Sequence, residues 1–386
     1  MLDKFYSKMI DSTSEQLSIL GDLLRNIVSN QITDVSVLTE VQNAITTFGE
    51  GIEKEYALED SPIIHALERA AELLFLISEN SLDDFGAELI DIADNLHTFL
   101  EKSKVISDSR MSLVLIIKNE ARYIVEWLEF HNMLGVDHFY IYDNESDDGL
   151  EEILKKYIDC GLVTYHYFPG KVVQLPSYNH AISHYKYDTE YMGFIDTDEF
   201  LFPIEGLSIP DTLDKIFYDC EHHAVYSYNA GGVGVNWRSY GTSGIKKYAE
   251  GLVIENYKKR GFNAYSQNVH IKSIVKPTLV NGFFHNPHAV TYNEPGVYTI
   301  SEHGSVIPSA FFYDGQCDLL RINHYYTRSE EELYYKMKVR GWPDVSDKLQ
   351  KEFEKSYEER LVSCNDIEDD IMARFIEPLK RRMNER

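Results

Sequence analysis

The tripeptide Asp196-Thr197-Asp198 is the stretch of this sequence with the clearest chemical potential. Its two carboxylates stand between the apolar runs Phe194-Ile195 and Phe200-Leu201-Phe202. In extended backbone alternate side chains share a face, so we expect both acids to point the same way. Neighbouring buried carboxylates need a cation, and Mn²⁺ or Mg²⁺ with oxygen ligands would serve and would hold a diphosphate in turn. The alternative is a strand end whose acids simply face water.

The segment that carries these acids alternates between predicted strands and helices. Met111–Ile117 is a continuous apolar run, typical of a strand covered on both faces. Further strands are expected over 137–142 and 162–167, and helices from 119 and over 151–157 and 178–187. This β-α-β-α order predicts a mostly parallel sheet, in which ligands bind beyond the carboxyl ends of the strands. Lys118-Asn119, Asp143 and the acid pair all stand at such ends, so we expect them to share one site.

The length of 386 residues favours more than one structural unit. We predict a helical domain over 1–109, an α/β catalytic domain over 110–327 and a helical extension over 328–386. In the first, Leu17, Leu20 and Leu24 recur at helical spacing, and Ser61-Pro62 is a typical helix start. This domain is expected to be a solvated helical bundle, with homo-oligomer formation or docking of a partner protein as the alternative.

Beyond residue 205 the pattern is less regular. We expect strands at Tyr226-Ser227-Tyr228 and over 273–276, and a helix over 251–260. The glycines of Gly231-Gly232-Val233-Gly234 are expected to be flexible. At the end of the chain Lys380, Arg381, Arg382 and Arg386 are expected to form a solvated tail, with peripheral membrane contact as the alternative.

Composition limits the classes of function. A net charge of −26 makes general binding of nucleic acid a poor hypothesis, because such binding neutralises phosphates. An anionic substrate would require a metal or a local basic patch. The four cysteines show no metal-type spacing, and no secretory signal or membrane-length apolar run is apparent, so we expect a cytoplasmic protein.

Several groups of residues together resemble one known family. They are Lys118-Asn119-Glu120 with Tyr123, Glu126-Trp127 and His131; Tyr142-Asp143-Asn144 with Ser146 and Asp148; and 194–200 around the acid pair. This combination resembles glycosyltransferase family 92 and related family-2-like glycosyltransferases of the GT-A fold. Later pieces agree, among them Trp237, Lys272 to Lys276, Asn323-His324-Tyr325-Tyr326, Lys336 and Arg340. The likeness spans residues 111–341.

The resemblance implies a UDP-sugar donor, a divalent metal and inversion at the anomeric carbon. Lys118, Asn119 and Glu120 match the nucleotide loop, and Asp143 the acid that contacts uracil or ribose. Gln174 and Asn179 fall where related enzymes contact the donor. Asp196 and Asp198 match the DxD pair that binds metal and donor, with Asp198 as the direct ligand. Lys171 stands where arginine is expected, which would lose bidentate contact with a phosphate.

Other roles stay open at this stage. His288 and His324 are both candidates to complete the metal shell, although a lone histidine is more often a structural residue. Glu255 matches a recurrent position for the general base but could be an ordinary acid on a helix face, and Glu199 is the second choice. Trp237 is expected to stack on a sugar ring or to belong to the core.

Two rival functions remain. A nucleotidyltransferase also uses paired acids, but Lys118-Asn119-Glu120-Ala121 lacks the expected glycine-rich phosphate loop. A non-catalytic scaffold that binds carbohydrate or nucleotide would not need the intact acid pair. The leading hypothesis is a metal-dependent glycosyltransferase that acts on a glycan, a lipid-linked or a protein acceptor, with a bacterial surface glycan as the guess for its product.

Overall fold

The computed structural model describes residues 13–56, 61–106, 109–206, 208–223, 229–340 and 356–385. The chain divides into two compact units, with the boundary between Ser109 and Arg110. Residues 328–386 fall within the second unit.

The first unit is helical over its described residues. Its helices are α1 (Thr13–Ser29), α2 (Val35–Tyr56), α3 (Pro62–Glu79) and α4 (Leu82–Ile106). Leucine and isoleucine side chains at helical spacing, including Leu17, Leu20, Leu24 and Ile27, are wholly buried in a core of their own. The backbone N–H of Ile64 donates to Ser61 Oγ over 3.5 Å, and α3 begins at Pro62, which confirms the predicted helix start.

The second unit combines a large sheet with flanking helices. Its helices are α5 (Ala121–Met133), α6 (Leu150–Asp159), α7 (Gln174–Tyr185), α8 (Ile209–His223), α9 (Val253–Asn256), α10 (Glu330–Tyr335), α11 (Tyr357–Val362) and α12 (Ala373–Glu385). The sheet strands are β1 (Met111–Ile117), β2 (His138–Asp143), β3 (Val163–Tyr167), β4 (Tyr191–Phe194), β5 (Glu199–Pro203) and β6 (Asn229–Ser239). Later strands are β7 (Lys259–Arg260), β8 (Ile271–Val275), β9 (Val280–Gly282), β10 (Thr291–Tyr292), β11 (Val297–Ile300), β12 (Val306–Ile307), β13 (Leu320–His324) and β14 (Ile367–Glu368).

The strand order places many segment ends at one edge of the sheet. Within the described residues the main sheet runs β12-β11-β6-β8-β4-β1-β2-β3, and β13 joins it through β6 and carries β5. Strands β1 to β4 are parallel, and β8 is antiparallel to both β4 and β6, so β6 runs parallel to β4. β13 is parallel to β6, and β5 is antiparallel to β13. The carboxyl ends of β1, β2, β4, β6 and β13 therefore meet the amino ends of β5 and β8. The predicted α/β class, with a mostly parallel sheet, an N-terminal helical unit and C-terminal helices, is confirmed.

Glycine was misleading as a sign of flexibility. Gly231, Gly232 and Gly234 lie in β6, whose residues after Asn229 are all buried. A Cβ on Gly231 would come within 2.4 Å of Tyr292 Cε1, and one on Gly232 within 2.8 Å of the Ile274 carbonyl oxygen. These glycines allow close packing of neighbouring strands.

Two other local predictions have different outcomes. The helix expected over 251–260 is wrong in extent, because only Val253–Asn256 is helical and Lys259–Arg260 is a strand. Glu126 stabilises the start of this short helix, since its carboxylate accepts hydrogen bonds from the backbone N–H groups of Val253 and Ile254. The strand expected at 226–228 lies outside the described residues.

The basic C-terminal run is not a solvated tail in its described part. The Arg382 guanidinium donates to the buried carboxylate of Glu129 on α5 over 2.8 Å and also to Asn132. Lys380 lies 2.7 Å from Glu255. Helix α12 thus packs on the α/β unit through charged contacts as well as through buried Leu379. No described helix is both long and apolar enough to cross a membrane.

We expect Arg382→Ala to destabilise the second unit by about 2–3 kcal/mol, because it leaves the Glu129 carboxylate buried without its cation. All three tryptophans follow residue 110, so urea unfolding followed by tryptophan fluorescence reports on this unit. Arg381→Ala is the matched control, since Arg381 is its exposed neighbour on the same helix. Equal stabilities of the two variants would contradict the anchoring role.

Candidate active site

A cleft of about 760 Å³ lies at the sheet edge where these strand ends meet. Eight of the predicted site residues line it: Lys118, Glu120, Gln174, Asp196, Asp198, Trp237, His288 and His324. Lys336, Arg340 and Arg360 also line it. Of the other described candidates, Asn119 lines an adjoining pocket, whereas Asp143, Asn179, Glu199 and Glu255 line neither.

The two acids lie in a turn and not in an extended strand. β4 ends at Phe194 and β5 begins at Glu199, so the expected alternation of faces does not apply. Trp127 Nε1 donates to the carbonyl oxygens of Asp196 and Glu199 over 3.1 and 2.9 Å. The backbone N–H of Tyr325 donates to the Asp198 carbonyl over 2.7 Å. The turn is thus held from α5 and from the end of β13, and its two carboxylates meet different partners.

Asp196 is paired with a fully buried lysine. Lys272 Nζ, on β8, lies 2.8 Å from Asp196 Oδ2 and 3.4 Å from Glu199 Oε2. Burial disfavours the ammonium charge, but the Asp196 and Glu199 carboxylates outweigh it and hold the pKa of Lys272 well above its usual value. Burial, with Asp196 nearby, raises the pKa of Glu199 well above its usual range. Lys272 is therefore the cation that compensates half-buried Asp196 and wholly buried Glu199.

The negative charge of Asp198 is balanced by residues from the C-terminal part of the chain. Lys336 Nζ lies 2.5 Å from Asp198 Oδ2, and His324 Nε2 lies 3.5 Å from Oδ1. Burial alone would raise the pKa of Asp198, yet Lys336 and His324 hold it well below its usual value. Burial lowers the pKa of His324, although Asp198 opposes this, so the imidazole favours its neutral form.

Glu120 organises two arginines, of which Arg340 lines the cleft and Arg328 lines the adjoining pocket. Its buried carboxylate accepts hydrogen bonds from Arg328 and Arg340, each over 2.5 Å. Arg340 also donates to the carbonyl oxygen of Lys118 over 3.1 Å, and the Arg328 guanidinium lies 3.7 Å from the centre of the Tyr123 ring. Glu120 therefore holds cationic groups in place.

Asn119 joins the loops that follow β1 and β2, and Asp143 holds the second of these loops against β3. Asn119 Oδ1 accepts from the backbone N–H of Asp147 over 2.8 Å. Asp143 accepts from the Ser146 N–H over 2.9 Å and from the Tyr165 hydroxyl over 2.7 Å. Both oxygens of Asp143 thus have a protein donor.

Of the two candidates on α7, Gln174 lines the cleft and Asn179 holds the backbone at Phe283 in place. Gln174 Nε2 lies 3.3 Å from Asp196 Oδ1. Asn179 donates to the Phe283 carbonyl over 2.9 Å and accepts from the Phe283 N–H over 2.7 Å. Trp237 lies across the cleft, with its ring centre 4.2 Å from that of His324 and 5.2 Å from that of His288.

The two candidates for the general base, Glu199 and Glu255, are both bonded to other protein groups and do not line the cleft. Glu199 is wholly buried, and its Oε2 accepts from the Asp196 N–H over 2.8 Å. Glu255 is about one-third exposed and forms an ion pair with Lys380.

The donor set at the turn fits a divalent cation. Two carboxylates and a neutral imidazole are suitable ligands for Mn²⁺, and both carboxylates of Asp196 and Asp198 already require cationic partners. Their ligand atoms do not converge in this arrangement. Among the described residues, the one group of three acid or histidine side chains whose ligand atoms lie within 4.8 Å of one another is Glu302, His303 and Asp318. There Glu302 accepts from the backbone N–H groups of Asp318, Leu319 and Leu320, which accounts for its position.

Comparison with known proteins adds a family to this geometry. The model of glycosyltransferase family 92 matches residues 115–363, which is more than half of the chain. The chain belongs to glycosyltransferase family 92. The residues that line the cleft at the sheet edge all lie within this match, and the cleft is the candidate active site.

Its relatives include plant proteins of the same family. A protein from Ricinus communis is 28% identical over 44% of this chain and 29% of its own length. One from Oryza sativa subsp. japonica is 30% identical over 44% of this chain and 27% of its own length. One from Arabidopsis thaliana is 27% identical over 54% of this chain and 37% of its own length. The chain thus spans between 27% and 37% of these relatives.

Solved structures give only remote likenesses. S. aureus TarS 1–349 in complex with UDP has a TM-score of 0.31 and 13% identity, over 65% of this chain and 71% of that one. Glucosyl-3-phosphoglycerate synthase from Mycobacterium tuberculosis, in complex with Mn²⁺, UDP and glucosyl-3-phosphoglycerate, has a TM-score of 0.22 and 17% identity, over 47% of this chain and 61% of that one. At these TM-scores neither likeness carries an argument about this chain.

Sequence reasoning named the acids of this family 92 protein but gave no role to their cationic partners. Lys272, Lys336 and Arg340 stand among the motif residues that carry the family resemblance, whereas Arg328 was not singled out. The long side chains of Lys272 and Lys336 reach the turn after β4 only because β8 and the segment after α10 are folded against it. The sequence indicated that the acids would need cations beside them, but it did not indicate which lysines would provide them.

We expect Lys272→Met to lower the free energy of unfolding of the second unit by about 3–5 kcal/mol, because it removes the buried cation between half-buried Asp196 and wholly buried Glu199. Urea unfolding followed by tryptophan fluorescence measures this. Lys276→Met is the matched control from just beyond the same strand, where the ammonium lies 4.4 Å from the centre of the Phe217 ring. Its expected cost is about 1 kcal/mol or less. A loss no larger for Lys272 than for Lys276 would contradict the role of Lys272.

Proposed function

We propose that this family 92 protein transfers a sugar from a UDP-sugar, with the help of a divalent metal and with inversion, to a glycan, lipid-linked or protein acceptor. The observation that carries the proposal is a cluster of cations inside the cleft of a very acidic chain. Lys118, Lys336, Arg340 and Arg360 line it together with the acids Glu120, Asp196 and Asp198. The whole chain has a net charge of −26, so this local balance favours an anionic ligand.

Lys336 is the cation that best suits a diphosphate. Its ammonium touches Asp198 and lies 4.3 Å from the centre of the Tyr326 ring, on a long side chain that can adopt other rotamers. A divalent ion at Asp198 would compete with Lys336 for the same carboxylate. We propose that Lys336 then contacts the donor diphosphate, with Arg340 beside it.

We propose Asp196, Asp198 and His324 as the metal ligands, with His288 lining the cleft nearby. When bound, the metal supplies positive charge to the diphosphate that leaves. In the transfer, the acceptor hydroxyl oxygen bonds to the anomeric carbon, and the bond from that carbon to the diphosphate oxygen breaks with its electron pair remaining on UDP. The hydroxyl proton passes to a base. Neither Glu255, paired with Lys380, nor buried Glu199 lines the cleft, which argues against both as that base.

The choice of donor, the inversion and the roles of Asp143 and the 118–120 loop rest on the family resemblance. A cytoplasmic location rests on the sequence alone. The relatives described above are plant proteins, so they give no support to a bacterial surface glycan.

We expect Asp198→Asn to abolish sugar transfer and to weaken Mn²⁺-dependent binding of UDP at least tenfold, because the amide cannot supply a charged ligand. Isothermal titration of UDP with and without Mn²⁺ measures the binding, and circular dichroism checks that the variant is folded.

Asp318→Asn is the matched control, because it removes a carboxylate from the other group of ligand atoms, around Glu302. It should leave both properties unchanged. Mn²⁺-dependent binding that survives in Asp198→Asn but is lost in Asp318→Asn would place the metal elsewhere. Wild-type binding of UDP without any effect of Mn²⁺ would favour a scaffold that does not use metal.

We expect Glu255→Gln to change turnover less than threefold, because this side chain is ion-paired with Lys380 outside the cleft. The loss of a general base typically costs on the order of 10²-fold or more. Release of UDP from a UDP-sugar, followed with a coupled assay, measures the rate. A fall of that larger size would restore Glu255 as the base.

A further inference from the structure

His288 lines the cleft but has no role among the proposed metal ligands. It lies in the loop between β9 and β10, and no acid within the described part of the chain pairs with it. The other candidate histidine, His324, approaches Asp198 to 3.5 Å. The ring of His288 packs instead against Trp237 and His270, with ring centres 5.2 and 5.4 Å apart. Its imidazole is therefore open to another function.

One hydrogen bond fixes the tautomer of the His288 ring. Nδ1 lies 2.9 Å from the carbonyl oxygen of Ile271, at the start of β8. A carbonyl oxygen can only accept, so Nδ1 carries a proton and donates it. Burial, with Lys272 and His270 nearby, holds the pKa of His288 well below its usual value, so the ring is neutral. The lone pair of the neutral ring is then on Nε2.

Nε2 is the accessible nitrogen of this ring. Within the described chain it accepts no hydrogen bond, and it is not one of the buried polar atoms without a partner. His288 lines the cleft while its Nδ1 is directed to the backbone of β8. Nε2 is therefore the nitrogen that a hydroxyl group in the cleft can reach.

The backbone of His288 is held on both sides. Its N–H donates to Asn286 Oδ1 over 2.9 Å, and its carbonyl oxygen accepts from Ser273 Oγ over 2.6 Å. Together with the bond from Nδ1 to Ile271, these contacts fix both the loop and the orientation of the ring. A group held in this way can meet a substrate atom without first being ordered.

His288 lies on the side of the acid pair away from the predicted nucleotide loop. In the strand order β6-β8-β4-β1-β2, the turn that bears Asp196 and Asp198 follows β4, and the loop over 118–120 follows β1. His288 contacts β8 and, through Trp237, β6. In an inverting displacement the hydroxyl attacks from the face opposite the leaving group, so its base belongs on this side.

We propose that His288 is the general base of the transfer and accepts the proton of the acceptor hydroxyl at Nε2. This inference rests on the proposed function, because a base has this role only if a sugar is transferred from a donor in the cleft. As the hydroxyl oxygen bonds to the anomeric carbon, its proton passes to Nε2, and the bond to the diphosphate breaks with its electron pair remaining on UDP.

The surroundings of His288 allow this step and the return of the proton. The imidazolium keeps its bond from Nδ1 to the Ile271 carbonyl, which becomes a charge-assisted hydrogen bond. Lys272 repels the new charge, but the negative charge that grows on the diphosphate offsets this repulsion. Because Nε2 is open to the cleft, the proton then leaves to solvent.

His288→Asn separates the chemical role from the structural one. The asparagine amide can donate to the Ile271 carbonyl as Nδ1 does, but it places no basic atom at the position of Nε2. The full chain is assayed with Mn²⁺ for release of UDP from UDP-galactose, UDP-glucose and UDP-N-acetylglucosamine, with water as the acceptor. We expect kcat to fall on the order of 10²-fold or more and KM to change less than about threefold.

His303→Asn is the matched control, because it makes the same change at a half-exposed histidine outside the cleft. It should keep the turnover of the wild type. Isothermal titration should give His288→Asn an affinity for UDP with Mn²⁺ within about twofold of the wild type, since the proposed metal ligands remain. In His288→Gly, which leaves room for a small base, added imidazole should raise turnover about tenfold or more.

Three results would overturn the proposal. They are a kcat of His288→Asn close to that of the wild type, a tenfold or larger loss of Mn²⁺-dependent UDP binding, which would make His288 a metal ligand, and a folded His288→Gly that imidazole does not activate, which would leave His288 a structural role. Wild-type protein that neither binds UDP nor releases it from the three donors is a different result, because it would overturn the proposed function and the base with it.

Discussion

Two carboxylates in the turn after β4 are each balanced by a lysine from a distant part of the chain. Lys272 comes from β8, and Lys336 from the segment that follows α10. Charge without a partner would destabilise so buried a turn by several kcal/mol, so these segments must be in place together. The candidate active site is therefore complete only when residues beyond 270 are packed on the strands that begin at Met111. This requirement explains why the family motif extends far past the acid pair.

The same compensation bears on how an anion could bind to so acidic a protein. Four cationic and three anionic side chains line the cleft, so its own field does not repel a diphosphate as the whole chain would. In the proposed function, a divalent ion would take over the neutralisation of Asp198. Lys336 would then be available to the donor, which would bring one more positive charge to the leaving group. Metal and nucleotide would thus bind in a coupled way, since each makes the other less costly.

The fold was predictable where the local sequence pattern matches the surroundings of those residues in the folded protein. The apolar run Met111–Ile117 is a buried central strand, and Ser61-Pro62 does begin a helix. Prediction failed at β6, because glycine is the usual sign of a turn and only the approach of Tyr292 and Ile274 explains its presence in a strand. It also failed for the turn at 196–198, whose geometry depends on hydrogen bonds from Trp127 and Tyr325. Contacts between residues so far apart in sequence leave no local pattern.

The location of the site was predictable from the sequence, but the roles of its individual residues were less so. Eight of the predicted residues line the cleft, since strand ends at one edge of a sheet must meet. Residue type and spacing did not separate groups that face a ligand from groups that hold the scaffold. Asn179 satisfies both polar groups of Phe283, and Glu199 is sealed beside Lys272, although each resembled a functional residue.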